Sequence, residues 1–166
     1  MNILYLHGLG GSPNGTKSKY CQNTYNAHSP SLGASWVEMG IDPEGMIEKS
    51  YQRALDALKW HGSRLIIGSS LGGGLAHLLI QRGEFTGGVI FLSSAYARMG
   101  LDPYLGGEVD MISLHSPQDT MVPFADSVEL SEVNPDKSQL WVCNGDHQLH
   151  CITSNGLLDR AVSYFM

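Results

Sequence analysis

Nothing in this chain constrains its fold as tightly as Arg64-Leu-Ile-Ile-Gly-Ser-Ser-Leu-Gly-Gly-Gly-Leu75. Residues 64–67 have strand composition, and from Leu71 the leucines at 71, 75, 78 and 79 take helical spacing. Between them lies Gly68-Ser69-Ser70-Leu71-Gly72, a Gly-x-Ser-x-Gly turn. Such a turn brings strand and helix close together, which glycine two residues to either side of the serine permits. The serine backbone is strained, and its hydroxyl stands above the sheet at the positive end of the helix. With 20 glycines in 166 residues a bare match is weak. Its weight comes from the strand-turn-helix context and from what the remaining strands carry at their ends.

The length suits one domain spanning residues 1–166 with a substantial core, and a 42% hydrophobic share argues against disorder. A net charge of −6 without a Lys/Arg cluster argues against a nucleic-acid partner. No apolar run approaches membrane-spanning length, so no membrane association is expected. The start, Asn2-Ile-Leu-Tyr-Leu-His7, lacks the basic opening of a signal peptide and passes directly into a strand. Three cysteines, Cys21, Cys143 and Cys151, leave one unpaired, which suits a reducing cytoplasm.

Strands are expected at 3–6, 64–67, 88–92, 110–115 and 139–143, with a short edge strand at 24–28 broken by Ser29-Pro30. Helices are expected at 17–25, from Asp42-Pro43 to Gly62, after Ser70, at about 124–130, and from about Ser154 onward. This alternation predicts an α/β fold: about six strands, mostly parallel, with helices on both faces and no separate lid domain. Function in such sheets collects at the carboxyl ends of the strands.

Those ends carry His7-Gly8-Leu9, then Ser70, then Ser116-Pro-Gln-Asp119, and last Asn144-Gly-Asp-His147. A nucleophile, an acid and a base thus follow in the order Ser, Asp, His. Acyl transfer needs this set, because a neutral serine requires an imidazole to take its proton and a carboxylate to orient that imidazole. Asp119 also suits a turn, while Asp110 falls at the wrong end of its strand and Asp126 falls on a helix. Of two histidines near the last strand, His147 sits mid-loop after Asn144-Gly145. His150 is already leaving toward the final helix, as a solvent-facing or helix-entry residue. His7 and His115 read as structural hydrogen-bonding residues.

With these motifs in place, the whole chain resembles an α/β-hydrolase, closest to the short, lidless bacterial esterases of the YqiA type. The resemblance rests on His7-Gly8, Gly68-x-Ser70-x-Gly72, His115-x-x-x-Asp119-x-x-Val122-Pro123 and Gly145-x-His147. It implies Ser70 as nucleophile, Asp119 as acid and His147 as base, with the backbone N–H groups of Leu71 and Leu9 as oxyanion hole. The chain departs from the lipase pattern in having Leu9 between Gly8 and Gly10, without an extended Gly-Gly run after His7. The expectation is a serine carboxylesterase acting on a small-molecule ester, thioester or amide, without cofactor or metal. The segment from Ser94 to Gly107, with Tyr96, Met99, Leu101 and Tyr104, is expected to line the acyl side.

Three other readings remain. Residues 10–18, Gly-Gly-Ser-Pro-Asn-Gly-Thr-Lys-Ser, follow a strand as a phosphate-binding loop would, but Thr16 separates the lysine from the last glycine. Cys143, His147, His150 and Cys151 are zinc-type ligands at spacings that match no standard site. The fold could also serve binding without catalysis.

Overall fold

In the computed structural model, which describes residues 1–106 and 108–166, five parallel strands form one sheet in the order β1-β2-β3-β4-β5. They are β1 (Ile3–Leu6), β2 (Leu65–Ser69), β3 (Gly88–Leu92), β4 (Met111–His115) and β5 (Ser138–Val142). The segment expected as a sixth strand contributes one bridge, His28 beside Leu4. Helix α1 (Thr16–Tyr25) takes its first two residues, and Asn26, in the left-handed conformation at φ 54°, caps the helix. Only Ala27 and His28 remain extended before Pro30, and His28 bonds Tyr5 N–H and the Ile3 carbonyl to cover the β1 edge.

Alternate side chains of each strand enter two separate cores, as the period of two requires. Leu4, Leu6, Ile66, Val89, Phe91 and Met111 face α3 (Pro43–His61), α4 (Leu71–Gln81) and α5 (Phe124–Val133). Tyr5, Ile67, Ile90, Leu92, Ile112 and Leu114 face α1 and the C-terminal helices α6 (Cys151–Ser154) and α7 (Leu157–Tyr164). Successive parallel strands advance in one direction across the sheet, so right-handed crossovers lay their helices on one face. The two ends of the chain cover the other.

Local chemistry sets the helix ends. Asp42 caps α3 by accepting from Gly45 N–H at 3.0 Å, Pro43 occupies its first turn, and Gly62 ends it at φ 62°. Helix α2 (Trp36–Ile41) is unexpected, although Ser35-Trp-Val-Glu38 is a capping-box sequence and Ser35 Oγ accepts from Glu38 N–H at 3.1 Å. The final helix is two pieces, because Gly156 at φ 74° turns the chain between α6 and α7.

Candidate active site

Ser70 lies between β2 and α4 with φ 53° and ψ −114°, a conformation an L residue holds only under constraint. The constraint is visible on both sides of it. Ser70 N–H donates to the Leu92 carbonyl at 2.9 Å, and its own carbonyl accepts from Ala95 N–H at 3.0 Å. A Cβ on Gly68 would lie 2.6 Å from the Gly72 carbonyl oxygen, and one on Gly72 would lie 2.7 Å from that of His7. Side chains at either position would drive α4 off the sheet.

Ser70 Oγ lies 2.9 Å from Nε2 of His147, which sits in the loop after β5. The other ring nitrogen, Nδ1, lies 2.7 Å from Asp119 Oδ2, in the loop after β4. Asp119 is wholly buried at its side chain, and its Oδ1 accepts the N–H groups of Met121 and Val122 at 2.8 and 2.9 Å. Burial opposes its charge. The Val122 and Met121 N–H groups and the His147 ring outweigh burial and hold the carboxyl below the usual carboxylate range. The carboxylate accepts from His147 Nδ1–H, leaving Nε2 free to accept the serine proton. Side chains from three strand ends therefore form one hydrogen-bonded row, from hydroxyl through imidazole to a buried carboxylate. His150 is exposed, makes no bond to these groups and opens α6.

Leu71 is the first residue of α4, so its N–H has no intrahelical partner. Leu9 follows Gly8, where a Cβ would lie 3.2 Å from that of Ser70. Among the described residues the Leu9 N–H has no hydrogen-bond partner, while Gly10 N–H is taken by Ala34 and Gly11 N–H by Gly8. His7 holds this loop. Its Nε2 accepts from Leu32 N–H at 3.1 Å, so its Nδ1 carries the proton and donates to the Gly8 carbonyl at 2.9 Å.

A cleft of about 710 Å³ opens over Ser70. Leu9, Trp36, Met39, Ile47 and Met99 line it, and Lys17, Arg98 and His150 stand among its polar groups. Of the expected acyl-side residues, Met99 lines the cleft, while Tyr96 and Tyr104 do not. Tyr96 is buried beneath, stacked on His77 with ring centroids 4.8 Å apart, and its hydroxyl donates to the Asp126 carbonyl at 2.8 Å. Tyr104 is 57% exposed and borders a separate depression with Ile80 and Phe85. The short turn at Ala97–Met99 and Gly100, at φ 71°, redirect the chain, so residues beyond it lead away from Ser70. Gly107, where the expected segment ended, is outside the described residues. The opposite wall, from α2 and the start of α3, was missed; the capping box at Ser35 was the available signal.

The loop at 10–18 does not present a phosphate cradle. Gly10, Gly11 and Gly15 N–H groups are spent on Ala34, Gly8 and Ser12, and Lys17 donates to the Gln148 carbonyl. The proposed zinc ligands do not converge: among the described residues no three His, Cys, Asp or Glu side chains are grouped to hold a metal ion. Nor is any described helix long and apolar enough to cross a membrane.

A family model described as "Uncharacterised protein family (UPF0227)" matches residues 2–159. No curated protein sequence matches the chain. Among solved structures, it is similar to a protein assigned to the alpha/beta hydrolase superfamily from Xanthomonas campestris pv. campestris. The two are 17% identical with TM-score 0.77, over 96% of this chain and 98% of that one. The Pyrococcus furiosus esterase Pf2001 is 15% identical with TM-score 0.72, over 99% and 81%. An alpha-beta serine hydrolase homologue from Coxiella burnetii is 12% identical with TM-score 0.72, over 100% and 85%. These likenesses establish the α/β-hydrolase fold.

Proposed function

The chain belongs to the UPF0227 family and has the α/β-hydrolase fold, and we propose that it is a serine hydrolase cleaving carboxylic esters or thioesters of small, soluble substrates. The observation that carries this reading is the unbroken bonding from Ser70 Oγ through both nitrogens of His147 to a buried Asp119.

The chemistry follows from those contacts. Ser70 Oγ attacks the carbonyl carbon as its proton passes to His147 Nε2, forming a tetrahedral adduct. Its oxyanion lies at the N–H groups of Leu71 and Leu9, at the positive end of α4. Asp119 stabilises the imidazolium without taking the proton. Collapse of the adduct breaks the bond to the leaving group, which departs as alcohol or thiol with the Nε2 proton. Water then attacks the acyl-serine, its proton goes to Nε2 and on to Ser70 Oγ, and the carboxylic acid leaves.

A fluorophosphonate provides the test, because it needs an activated serine and no knowledge of the natural substrate. Mass spectrometry should place one adduct on Ser70 and none on Ser69, and Ser70→Ala should not label. A wild-type protein that resists the reagent, or an adduct elsewhere, would overturn the reading and favour a binding role for the cleft.

A further inference from the structure

His115 closes β4 and is fully buried, yet the path from Ser70 to Asp119 does not pass through it. Its Nε2 lies 3.0 Å from Asp119 Oδ2 and 3.2 Å from the Val122 carbonyl oxygen. Its Nδ1 lies 2.7 Å from Ser127 Oγ, in the first turn of α5. Both neighbours of Nε2 are acceptors, so Nε2 carries the proton, and Nδ1 accepts from the Ser127 hydroxyl. Burial pushes the ring's pKa down against the pull of Asp119, which keeps the imidazole neutral in this single tautomer. Phe124 packs edge-on against the ring, with 5.6 Å between centroids.

Asp119 Oδ2 therefore receives two ring N–H groups, from His147 at 2.7 Å and His115 at 3.0 Å. Oδ1 receives the two backbone donors. Four donors saturate the carboxylate, and one of them is a neutral side chain competing with His147 for the same oxygen.

We propose that His115 is a positioning residue, which through its Nε2–H fixes Asp119 Oδ2 toward His147 and shares that oxygen's charge. This rests on the serine-hydrolase reading. Its consequence concerns the base. An unshared carboxylate would hold positive charge beside it more tightly, so the reaction of Ser70 would set in at a higher pH. A packing residue such as leucine would fill the space without that effect.

Of the charged and titratable groups around this pair, Asp126 from α5 and His147 act on His115, while Lys17 from α1 and His150 line the cleft with His147. All of them remain when His115 alone is replaced, so a shift between variants reports the missing N–H.

The measurement is the rate of Ser70 labelling by a fluorophosphonate between pH 5 and 9, for wild type, His115→Phe and His115→Gln. The Phe variant should reach half-maximal rate at a pH higher by about 0.5–1 unit, the size of one neutral hydrogen bond to a carboxylate. The Gln variant, which keeps an N–H donor, should recover most of the shift. An unchanged midpoint in a folded Phe variant, even with slower labelling at every pH, would reduce His115 to a packing residue. Failure of wild type to label would instead remove the serine-hydrolase reading, and this inference with it. Should the Phe variant not fold, ¹⁵N shifts of the wild-type imidazoles decide. His115 must be protonated at Nε2 alone at neutral pH; the other tautomer overturns the proposal.

Discussion

Ser70 and His147 are 77 positions apart in the chain, yet Oγ and Nε2 approach to 2.9 Å. His150, three residues further on, is exposed and turned into the start of α6. Replacing each histidine by alanine should therefore give opposite results. His147→Ala should lower kcat by on the order of 10³-fold or more, the loss expected when a general base acting with its nucleophile is removed. His150→Ala should stay within about tenfold of wild type, since it touches no part of the proton path. Ester hydrolysis by the two purified variants decides, and the reverse ranking would reassign the base.

The elbow depends on absent side chains as much as on the serine. A Cβ on Gly72 would overlap the Leu6 carbonyl, and one on Gly68 would press on the Gly72 carbonyl and the Gly73 Cα. These are backbone atoms that cannot swing aside. Gly72→Ala should lower unfolding stability by about 1–3 kcal/mol, the range for overpacking a close-fitted site, and should reduce labelling of Ser70. Gly40→Ala, where a Cβ meets nothing within 4 Å, is the control and should be neutral or slightly stabilising. Urea denaturation measures both.

Met99 gives a handle on substrate size. It lines the cleft and its thioether packs over Gly74 on α4, so a bulkier residue there must project toward the substrate. Met99→Trp should depress turnover of hexanoyl esters more than of acetyl esters by about tenfold, the worth of one to two methylenes in an apolar pocket. Wild type should favour soluble short-acyl esters and show no jump in rate when substrate forms micelles. A rate that climbs steadily with acyl length would contradict the small-substrate reading.

A buried histidine away from the site should dominate the acid sensitivity of folding. His77 on α4 is fully buried against Tyr96; its Nε2 donates to the Asp102 carbonyl at 2.6 Å, and its Nδ1 has no partner among the described residues. Burial lowers its pKa to about 4 from an ordinary 6.5. The unfolded chain then binds a proton between these values that the folded chain refuses, so stability is full above pH 6.5 and declines as pH falls toward 4. The decline is worth roughly 3 kcal/mol at the bottom of that window. His77→Gln keeps a donor for Asp102 and does not titrate, so its stability should fall less over the same range. Urea midpoints at pH 7 and pH 4.5 for both proteins provide the comparison.

Local sequence was sufficient wherever a structural feature is made by neighbours in the chain. The elbow at 68–72, the Asp42-Pro43 start and Gly62 end of α3, and the strands with their loop residues are of this kind. Each reflects backbone sterics or a cap formed within a few residues, and the alternation of strands and helices then carried the parallel sheet. Tertiary structure decided what depends on distant partners. Thr24 and Tyr25 have good strand composition, but α1 extends through them because Tyr25, from the helix end, reaches Asp159 on α7, across 134 positions. Tyr104 looked like a cleft residue by proximity to Met99, yet one left-handed glycine between them turned the chain away. His115 showed a hydrogen-bonding residue at a strand end and no more. Its partners Asp119, Val122 and Ser127 all lie within residues 115–127, but that its Nε2 meets Asp119 follows from how the 116–122 loop closes back on β4 and where α5 docks, which neither propensity nor hydrophobic period specifies.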